Sequence, residues 1–259
     1  FCPECVTLAL IPVSMKRVIP ICILILLFSC ASESTTELKM REYQGADCKD
    51  CPVVHISVPE ASEKTALGKS INRVIREEII ELLDFDRENN AADIPGAIEA
   101  FTKGFQFVQS EFPEELTGWE ASVEGTTSYD GPDVLTIKLD KYIFTGGAHG
   151  YGGTAYLNFD RETGEELPGS QLLRNPDEFS ELAESAFRKK YDIPMEAPIN
   201  STGFMFEENK FKLPENIGLD AERIVLHYNP YEAASYADGA LIIEIPIEEG
   251  LPYLKKGGN

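Results

Sequence analysis

Basic residues are scarce in this chain of 259 residues: 23 lysines and arginines stand against 44 aspartates and glutamates, for a formal net charge of −21. Such a balance would repel the phosphates of nucleic acids and argues against docking on anionic lipid through a basic patch. We therefore expect no nucleic-acid partner. The charge keeps the protein soluble, and it also suits long-range attraction of a basic partner.

Histidine is equally scarce, with His55, His149 and His227 as the three in the chain. They form no H-E-x-x-H motif and no closely spaced pair, so a zinc site would depend on the fold bringing them to one carboxylate. We expect no metal and no cofactor. Paired carboxylates for glycoside cleavage stay open, because nothing singles out two among the many acidic residues.

Long hydrophobic runs are also rare, and the one near the start, Val18 to Phe28, has 11 residues. As a helix it would span about 16 Å, half of the ~30 Å hydrocarbon core, which is too short for an ordinary transmembrane helix. Lys16 and Arg17 precede it, and a basic start before a short apolar run is typical of a secretory signal. We expect translation to start at Met15, and residues 1–29 to comprise an upstream segment and a lipoprotein signal peptide.

The signal ends in Leu27-Phe28-Ser29-Cys30, which resembles the bacterial lipobox, whose cysteine is lipidated and becomes the new N-terminus. We therefore expect Cys30 to carry a lipid such as palmitate and to anchor the protein to a membrane. The predicted location is the bacterial cell envelope, on the extracytoplasmic side. A plain secretory signal with an incidental cysteine is the alternative.

Residues 30–50 are polar and lack apolar periodicity, which predicts a tether between the lipid and the folded part. Cys48 and Cys51 are an even pair once Cys30 is lipidated. Their loop precedes the first strand, whereas a redox C-x-x-C motif follows a strand and opens a helix. We interpret the pair as a local disulfide formed in an oxidising compartment.

Hydrophobic periodicity outlines the fold. Alternating residues predict strands at about 52–59, 119–123, 135–139, 155–159, 222–228 and 240–247. Stripes spaced by three and four predict helices over about 62–83 with Ser62 as N-cap, over 93–111, and from Asn175 onward. Tyr142 and Phe144 change parity, which indicates a bulge or two-sided burial near Asp140. Helices set in blocks between runs of strands predict an α+β fold, in which two or three amphipathic helices pack a largely antiparallel sheet.

The most unusual segment is the glycine-rich stretch 145–153, which contains Gly146, Gly147, His149 and Gly150. A phosphate cradle needs a lysine and a following helix, whereas this segment lacks lysine and precedes a strand. An oxyanion hole with His149 as base would lack a G-x-S-x-G elbow and a matched nucleophile. We favour a structural role, in which glycine supplies the backbone geometry and His149 fixes the connection through a hydrogen bond.

A second segment, 227–239, holds three tyrosines, among them Tyr231 and Tyr236, together with Glu232. Asn-Pro and Asp-Gly pairs mark turns at its two ends. Tyrosines give a large contact area at low entropic cost and could form a binding surface. They could equally fix the loop to the sheet through their hydroxyl groups, and both interpretations stay open.

Together the two segments resemble tandem bacterial domains of unknown function, numbered 4163 and 3298. The resemblance rests on TGGAHG between Tyr142 and Tyr156, then Tyr228-x-Pro230-Tyr231-Glu232, then Tyr236-Ala237-x-Gly239. It covers roughly residues 50–257. By resemblance, the signature residues are Gly146, Gly147, His149, Gly150, Tyr231, Glu232, Tyr236 and Gly239.

The resemblance implies an extracytoplasmic α+β domain to which no catalysis is attributed. The family includes the extracellular part of the lysozyme-sensing anti-sigma factor, which binds lysozyme directly, and segments attached to some peptidoglycan deacetylases. The anti-sigma architecture also needs a cytoplasmic segment and a membrane-spanning helix. A lipid anchor would depart from that architecture, so we do not expect signalling to a sigma factor.

We expect a lipid-anchored envelope protein with a non-catalytic binding domain, in an N-terminal part over 51–155 and a C-terminal part over 156–257. Its partner would be a basic protein such as lysozyme, or peptidoglycan, and the acidic charge fits a cationic partner. The alternative is a hydrolase acting on cell-wall material, with His149 and nearby carboxylates in acid–base roles. Convergence of His149, His227 and a carboxylate would favour the hydrolase, whereas a flat apolar patch would favour a scaffold without a small ligand.

Overall fold

The computed structural model describes residues 36–48, 51–84, 90–113 and 117–255. The elements run in chain order β1 Leu38–Gln44, β2 Val53–Ala61, α1 Ala66–Leu83, α2 Ile94–Glu111, β3 Glu120–Asp130, β4 Val134–Phe144, β5 Tyr151–Asp160, α3 Pro176–Lys190, β6 Asn216–Leu219, β7 Arg223–Tyr228, β8 Leu241–Pro246 and α4 Ile247–Gly250. The strands form a five-stranded sheet, β1-β2-β3-β4-β5, and a three-stranded sheet, β6-β7-β8. The β2–β3 pair is parallel and the other neighbours are antiparallel. The predicted α+β fold is therefore confirmed.

Helices α1 and α2 cover one face of the five-stranded sheet, because each carries the apolar stripe that the sequence shows. Phe101 and Phe105 of α2 pack on Trp119, with ring centroids 5.2 and 5.7 Å apart. The expected N-cap at Ser62 is wrong. Thr65 caps α1 instead, because its hydroxyl accepts the third N–H of the helix, from Gly68, at 3.0 Å.

Helix α3 packs on the three-stranded sheet and forms a second hydrophobic core. Phe187 lies at the centre of this core, with five aromatic rings within 6 Å by centroid: Tyr191, Phe204, Phe206, Phe211 and Tyr228. Four of these rings come from the stretch between α3 and β6, so this stretch packs into the core although most of it is irregular. The predicted cap residue Asn175 holds the N-cap position, but its amide donates to the Glu178 carboxylate rather than accepting from the helix backbone.

A buried polar contact joins the two sheets. Asn158 on β5 and Thr136 on β4 are fully buried on the sheet face opposite α1 and α2. The Thr136 hydroxyl donates to Oδ1 of Asn158 at 2.8 Å, and Nδ2 of Asn158 donates to the carbonyl oxygen of Ile217 at 2.8 Å. The second sheet therefore covers part of the outer face of the first.

Two side-chain amides also occupy the outer edge of β5. Asn216 accepts the Tyr156 N–H at 2.8 Å and donates to the Thr154 carbonyl at 2.6 Å. Asn229 accepts the Thr154 N–H at 2.9 Å and donates to the same carbonyl at 3.0 Å. Each amide supplies the donor and acceptor that a further strand would offer. We call Asn216 and Asn229 the amide clamp.

Two expectations need correction. Part of the expected tether over 30–50 is a strand, because β1 pairs along its whole length with β2. The parity change at Asp140 comes neither from a bulge nor from two-sided burial at that point: β4 pairs regularly through Asp140, and the burial on both faces lies earlier, at residues 134–137. The pattern changes because Tyr142 lies exposed on the face opposite the core. The register shift lies in β3 instead, between Thr127 and Tyr129. The predicted division at 155/156 falls within β5 and stays a prediction.

Candidate functional site

The two sequence motifs meet at one backbone carbonyl group. Residues 145–150 connect β4 to β5, and residues 229–240 connect β7 to β8. The Tyr236 hydroxyl donates to the carbonyl oxygen of Gly150 at 2.7 Å. Nδ1 of His149 lies 3.0 Å from the same oxygen and, because a carbonyl oxygen only accepts, this nitrogen carries the proton.

Aromatic rings extend this contact into a surface. The His149 imidazole stacks on Tyr236, with centroids 4.1 Å apart and planes 19° from parallel. Tyr231 lies against Tyr236 at 5.5 Å and 31°. Tyr142 packs over Gly150, where any Cβ would overlap its ring. We call Tyr142, His149, Tyr231 and Tyr236 the aromatic surface.

The turn after β4 requires glycine for its dihedral angles. Gly146 and Gly147 have φ of +102° and +89°, which residues with a Cβ rarely adopt. Space is not the reason: a Cβ at Gly147 would meet nothing within 4 Å, and one at Gly146 would meet only a threonine hydroxyl at 3.5 Å. These two signature glycines therefore shape the loop that presents His149.

Tyr231 adopts a strained backbone conformation and is exposed. Its φ is +74°, in the left-handed region, which costs a non-glycine residue about 1–2 kcal/mol. Glu232 holds the turn, because its carboxylate accepts the N–H groups of Asn229 at 3.0 Å and Glu215 at 3.1 Å. Partial burial raises the pKa of Glu232, although these N–H donors act in the opposite direction. The Tyr231 side chain is left 60% exposed.

A short turn at 236–238 positions the ring of Tyr236. Oδ2 of Asp238 accepts the Ser235 N–H at 3.1 Å and the Ser235 side chain accepts the Asp238 N–H, which makes a capping box. The Ser235 hydroxyl also donates to Oδ2 of Asp238 at 2.5 Å. Gly239 ends the turn with φ of +70°. The signature residues of the second motif thus divide into the exposed ring of Tyr231, the partly buried ring of Tyr236, and the groups that fix them.

A separate cluster of titratable side chains lies on the face of the five-stranded sheet opposite α1 and α2, and it extends from exposed Asp140 to buried His227. Asp140 accepts from Lys138 at 2.7 Å and from the Thr154 hydroxyl at 2.8 Å. His227 is 5% exposed, and its Nδ1 has no hydrogen-bond partner among the described residues. Burial, together with the positive charge of Lys138, lowers the pKa of His227. Burial and the charge of Asp140 raise the pKa of Tyr156 to about 12.

His149 and His227 therefore lie in different surroundings, one exposed on the aromatic surface and the other buried beside Tyr156. The backbone hydrogen bond of His149 agrees with the role favoured from the sequence, but its ring is exposed. Within the described ranges, no group of three or more His, Cys, Asp or Glu side chains is arranged to hold a metal ion.

The cysteines fall inside and outside the described residues. A disulfide joins Cys48 to Cys51, with Cα atoms 5.4 Å apart, in the loop before β2. Cys30 and the expected signal peptide lie outside the described residues. In the part of the chain that the structure describes, none of the helices has the length and apolarity needed to cross a membrane.

Asn229 is the residue that sequence reasoning missed. It takes part both in the Glu232 turn and in the amide clamp, so it connects the second motif to β5. The sequence marks it only as a turn residue before Pro230. Its partner Thr154 is 75 positions away, and no local pattern reports such a contact.

Two family models match the chain, one in each half. Residues 46–151 match the family described as Deacetylase PdaC. Residues 171–248 match the family described as Protein of unknown function (DUF3298). The resemblance to domain 3298 is thereby confirmed for the C-terminal half, whereas the N-terminal match carries a description other than domain 4163. The first match includes the glycine-rich loop at 145–150, and the second includes the loop at 229–240 that carries Tyr231 and Tyr236.

Two solved structures share the fold. A DUF3298-family protein from Pseudomonas aeruginosa PAO1 aligns over 85% of this chain and 94% of its own, with 20% identity and a TM-score of 0.57. A member of the same family from Bacteroides fragilis NCTC 9343 aligns over 86% and 96%, with 17% identity and a TM-score of 0.61. At these identities the likeness establishes the fold alone. No curated protein matches the chain.

Proposed function

We propose that this protein is a lipid-anchored bacterial envelope protein whose aromatic surface binds a basic, cell-wall-related protein such as lysozyme, without catalysis. The proposal rests on the observation that the glycine-rich motif and the tyrosine-containing motif meet at the Gly150 carbonyl oxygen. Hydrogen bonds of Nδ1 of His149, the Tyr236 hydroxyl and the Glu232 carboxylate fix the two loops. The rings of Tyr231 and His149 are left exposed. Exposed tyrosines held in place by their surroundings are typical of protein-binding surfaces.

The choice of a basic partner rests on charge. With a net charge of −21, the chain attracts cationic proteins over a distance set by the ionic strength. The sequence resemblance to the lysozyme-sensing anti-sigma factor family points to the same class of partner. Lysozyme is therefore the first probe, and peptidoglycan fragments are the second.

Calorimetric titration of the purified chain with lysozyme, at low and at physiological salt, tests this proposal. We expect binding that is several-fold tighter at low salt and that lowers muramidase activity. Lysozyme with acetylated lysines is the matched control, and it should bind more weakly. An absence of heat at both salt concentrations would refute lysozyme as the partner and leave peptidoglycan fragments to be tested.

The anchor is tested separately from binding. Cells expressing the chain should incorporate an alkyne-labelled palmitate into it, and Cys30→Ala should abolish the label. Cys22→Ala, within the expected signal peptide, is the matched control and should leave the label unchanged. Labelling that survives Cys30→Ala would contradict the lipobox assignment.

A hydrolase is the second candidate, favoured by the match of residues 46–151 to a family described as a deacetylase. His149 is the residue on which the sequence-based hypothesis depends, and its Nδ1 donates to the Gly150 carbonyl. Release of acetate from an N-acetylated glycan by the wild-type chain, lost in His149→Gln, would support hydrolysis. Equal and negligible release from both would leave binding as the function.

A further inference from the structure

We propose that the aromatic surface receives a cationic side chain, guanidinium or ammonium, from its protein partner. The ring of Tyr231 would contact the cation, and the carboxylates of Glu232 and Asp238 would supply the opposite charge. The inference rests on the proposed function and specifies the chemistry of the contact.

The composition of the two loops is the first argument. Residues 142–153 and 228–240 contain no lysine or arginine. They contribute the three tyrosines of the aromatic surface, Tyr142, Tyr231 and Tyr236, together with two carboxylates. A surface that carries rings and negative charge, and no positive charge of its own, is complementary to a cation. The negative charge distinguishes this surface from a purely apolar patch, which would favour an apolar partner.

The geometry of Tyr231 is the second argument. Its ring leans against Tyr236 at 5.5 Å, while 60% of the side chain stays exposed. The left-handed backbone, held by Glu232, fixes the direction in which this ring projects. An aromatic face fixed before binding loses little side-chain entropy when a cation approaches within about 6 Å of its centroid.

The state of the two carboxylates is the third argument. Backbone N–H groups and the Ser235 hydroxyl hold both in place. Neither carboxylate forms an ion pair with any described lysine or arginine at 4.0 Å or less. Lys212 acts on the pKa of Glu232 without reaching that distance. The negative charge of the loop is therefore open to a partner's cation.

A saccharide is the rival occupant, because a sugar ring also stacks on tyrosine. Fixed negative charge beside the rings adds nothing to the binding of a neutral sugar, whereas it strengthens the binding of a cation. The two occupants therefore predict opposite responses to loss of a carboxylate. Asp238→Asn serves this purpose, since an amide oxygen can still accept the Ser235 bonds.

The experiment compares Tyr231→Leu, Tyr231→Phe and Asp238→Asn with wild type, using lysozyme, a nona-arginine peptide and a chitin oligosaccharide as probes. Tyr231→Leu keeps the apolar bulk and the backbone cost but removes the ring, so we expect about tenfold weaker binding of both cationic probes. Tyr231→Phe should stay within about twofold of wild type. Asp238→Asn should weaken cationic probes about threefold to fivefold and reduce the salt dependence.

Matched controls separate these effects from general changes. Tyr151→Leu removes an exposed tyrosine on the opposite face of the sheet, and Glu248→Gln removes one negative charge on α4. Both should bind all probes as wild type does. An unchanged thermal midpoint shows that each variant is folded, and Asp238→Asn keeps the test valid if the leucine variant does not fold.

The outcomes separate the two proposals. If lysozyme fails to bind while nona-arginine binds and depends on Tyr231, the proposed partner is wrong and the cation site stands. If lysozyme binds but Tyr231→Leu equals Tyr151→Leu, the cation site is wrong and the proposed function stands. Failure of both cationic probes, or Tyr231-dependent binding of the oligosaccharide alone, overturns the cation site.

Discussion

Replacing Asn158 with alanine tests whether the buried polar contact holds the two sheets together. Asn158 is fully buried and bonds Thr136 and the Ile217 carbonyl, each at 2.8 Å. Its removal leaves a hydroxyl and a carbonyl without partners, and each orphaned group costs about 1–3 kcal/mol. We expect the free energy of unfolding to fall by about 3 kcal/mol or more.

A double-mutant cycle with Thr136→Val isolates the hydrogen bond between the two side chains. Valine matches the shape of threonine, so Thr136→Val alone should cost about 1–2 kcal/mol, because Oδ1 of Asn158 loses its donor. In the Asn158→Ala background that acceptor is already absent, and the same change should cost close to nothing. The expected coupling is therefore about 1–2 kcal/mol.

Equilibrium urea unfolding at pH 7, followed by the fluorescence of the single tryptophan, measures all four states. Thr127→Val, at an exposed position of β3, is the matched control and should change stability by less than about 0.5 kcal/mol. If the loss of stability in the double variant equals the sum of the losses in the two single variants within about 0.5 kcal/mol, the hydrogen bond between Thr136 and Asn158 is refuted. A change in the denaturant slope would show that the states compared differ in more than this contact.

Three further predictions concern other parts of the chain. Because burial lowers the pKa of His227, the folded state binds fewer protons than the unfolded state just below pH 6.5. The free energy of unfolding should therefore fall by up to about 1.4 kcal/mol for each unit by which the pH is lowered there. His227→Leu should flatten this dependence of stability on pH. Gly164→Ala should lower the free energy of unfolding by more than about 3 kcal/mol, because its φ is +74° and a Cβ would lie 2.5 Å from a backbone nitrogen. Gly203→Ala is the control: its φ is also positive but a Cβ would meet open space, so it should cost about 1–2 kcal/mol. Equal losses in urea unfolding would contradict this explanation. Cys48 and Cys51 should resist alkylation until a reductant is added, and mass spectrometry showing both alkylated without reduction would disprove the disulfide.

The helices and most strands could be predicted because their signals are local. The apolar stripes of α1 and α2 face the core under the five-stranded sheet, and the stripe of α3 faces the second core. Strand β1 was missed because it lies at the edge of the sheet and most of its residues are exposed on both faces, so no alternation marks it. The cap at Thr65 was missed because both Ser62 and Thr65 carry a hydroxyl that could cap a helix. Only the residue at which the helical backbone hydrogen bonds begin distinguishes them.

The candidate site could be predicted only in part. The glycines and tyrosines are visible as compositional anomalies, and the motif resemblance names them. Their meeting at the Gly150 carbonyl depends on a bond between positions 86 residues apart, and the contacts of Asn229 are similarly distant. Periodicity and turn chemistry describe short stretches of chain and cannot report which loops come together.

The amide clamp on β5 has a consequence for association between copies of the chain. The outer edge of a sheet offers a row of donors and acceptors on which another chain can add a strand, and chains then join edge to edge. Asn216 and Asn229 occupy the groups of Thr154 and Tyr156 that such an addition would use. The same two side chains that dock the second sheet therefore also act against polymerisation through this edge, so a variant that loses them should form oligomers as well as lose stability.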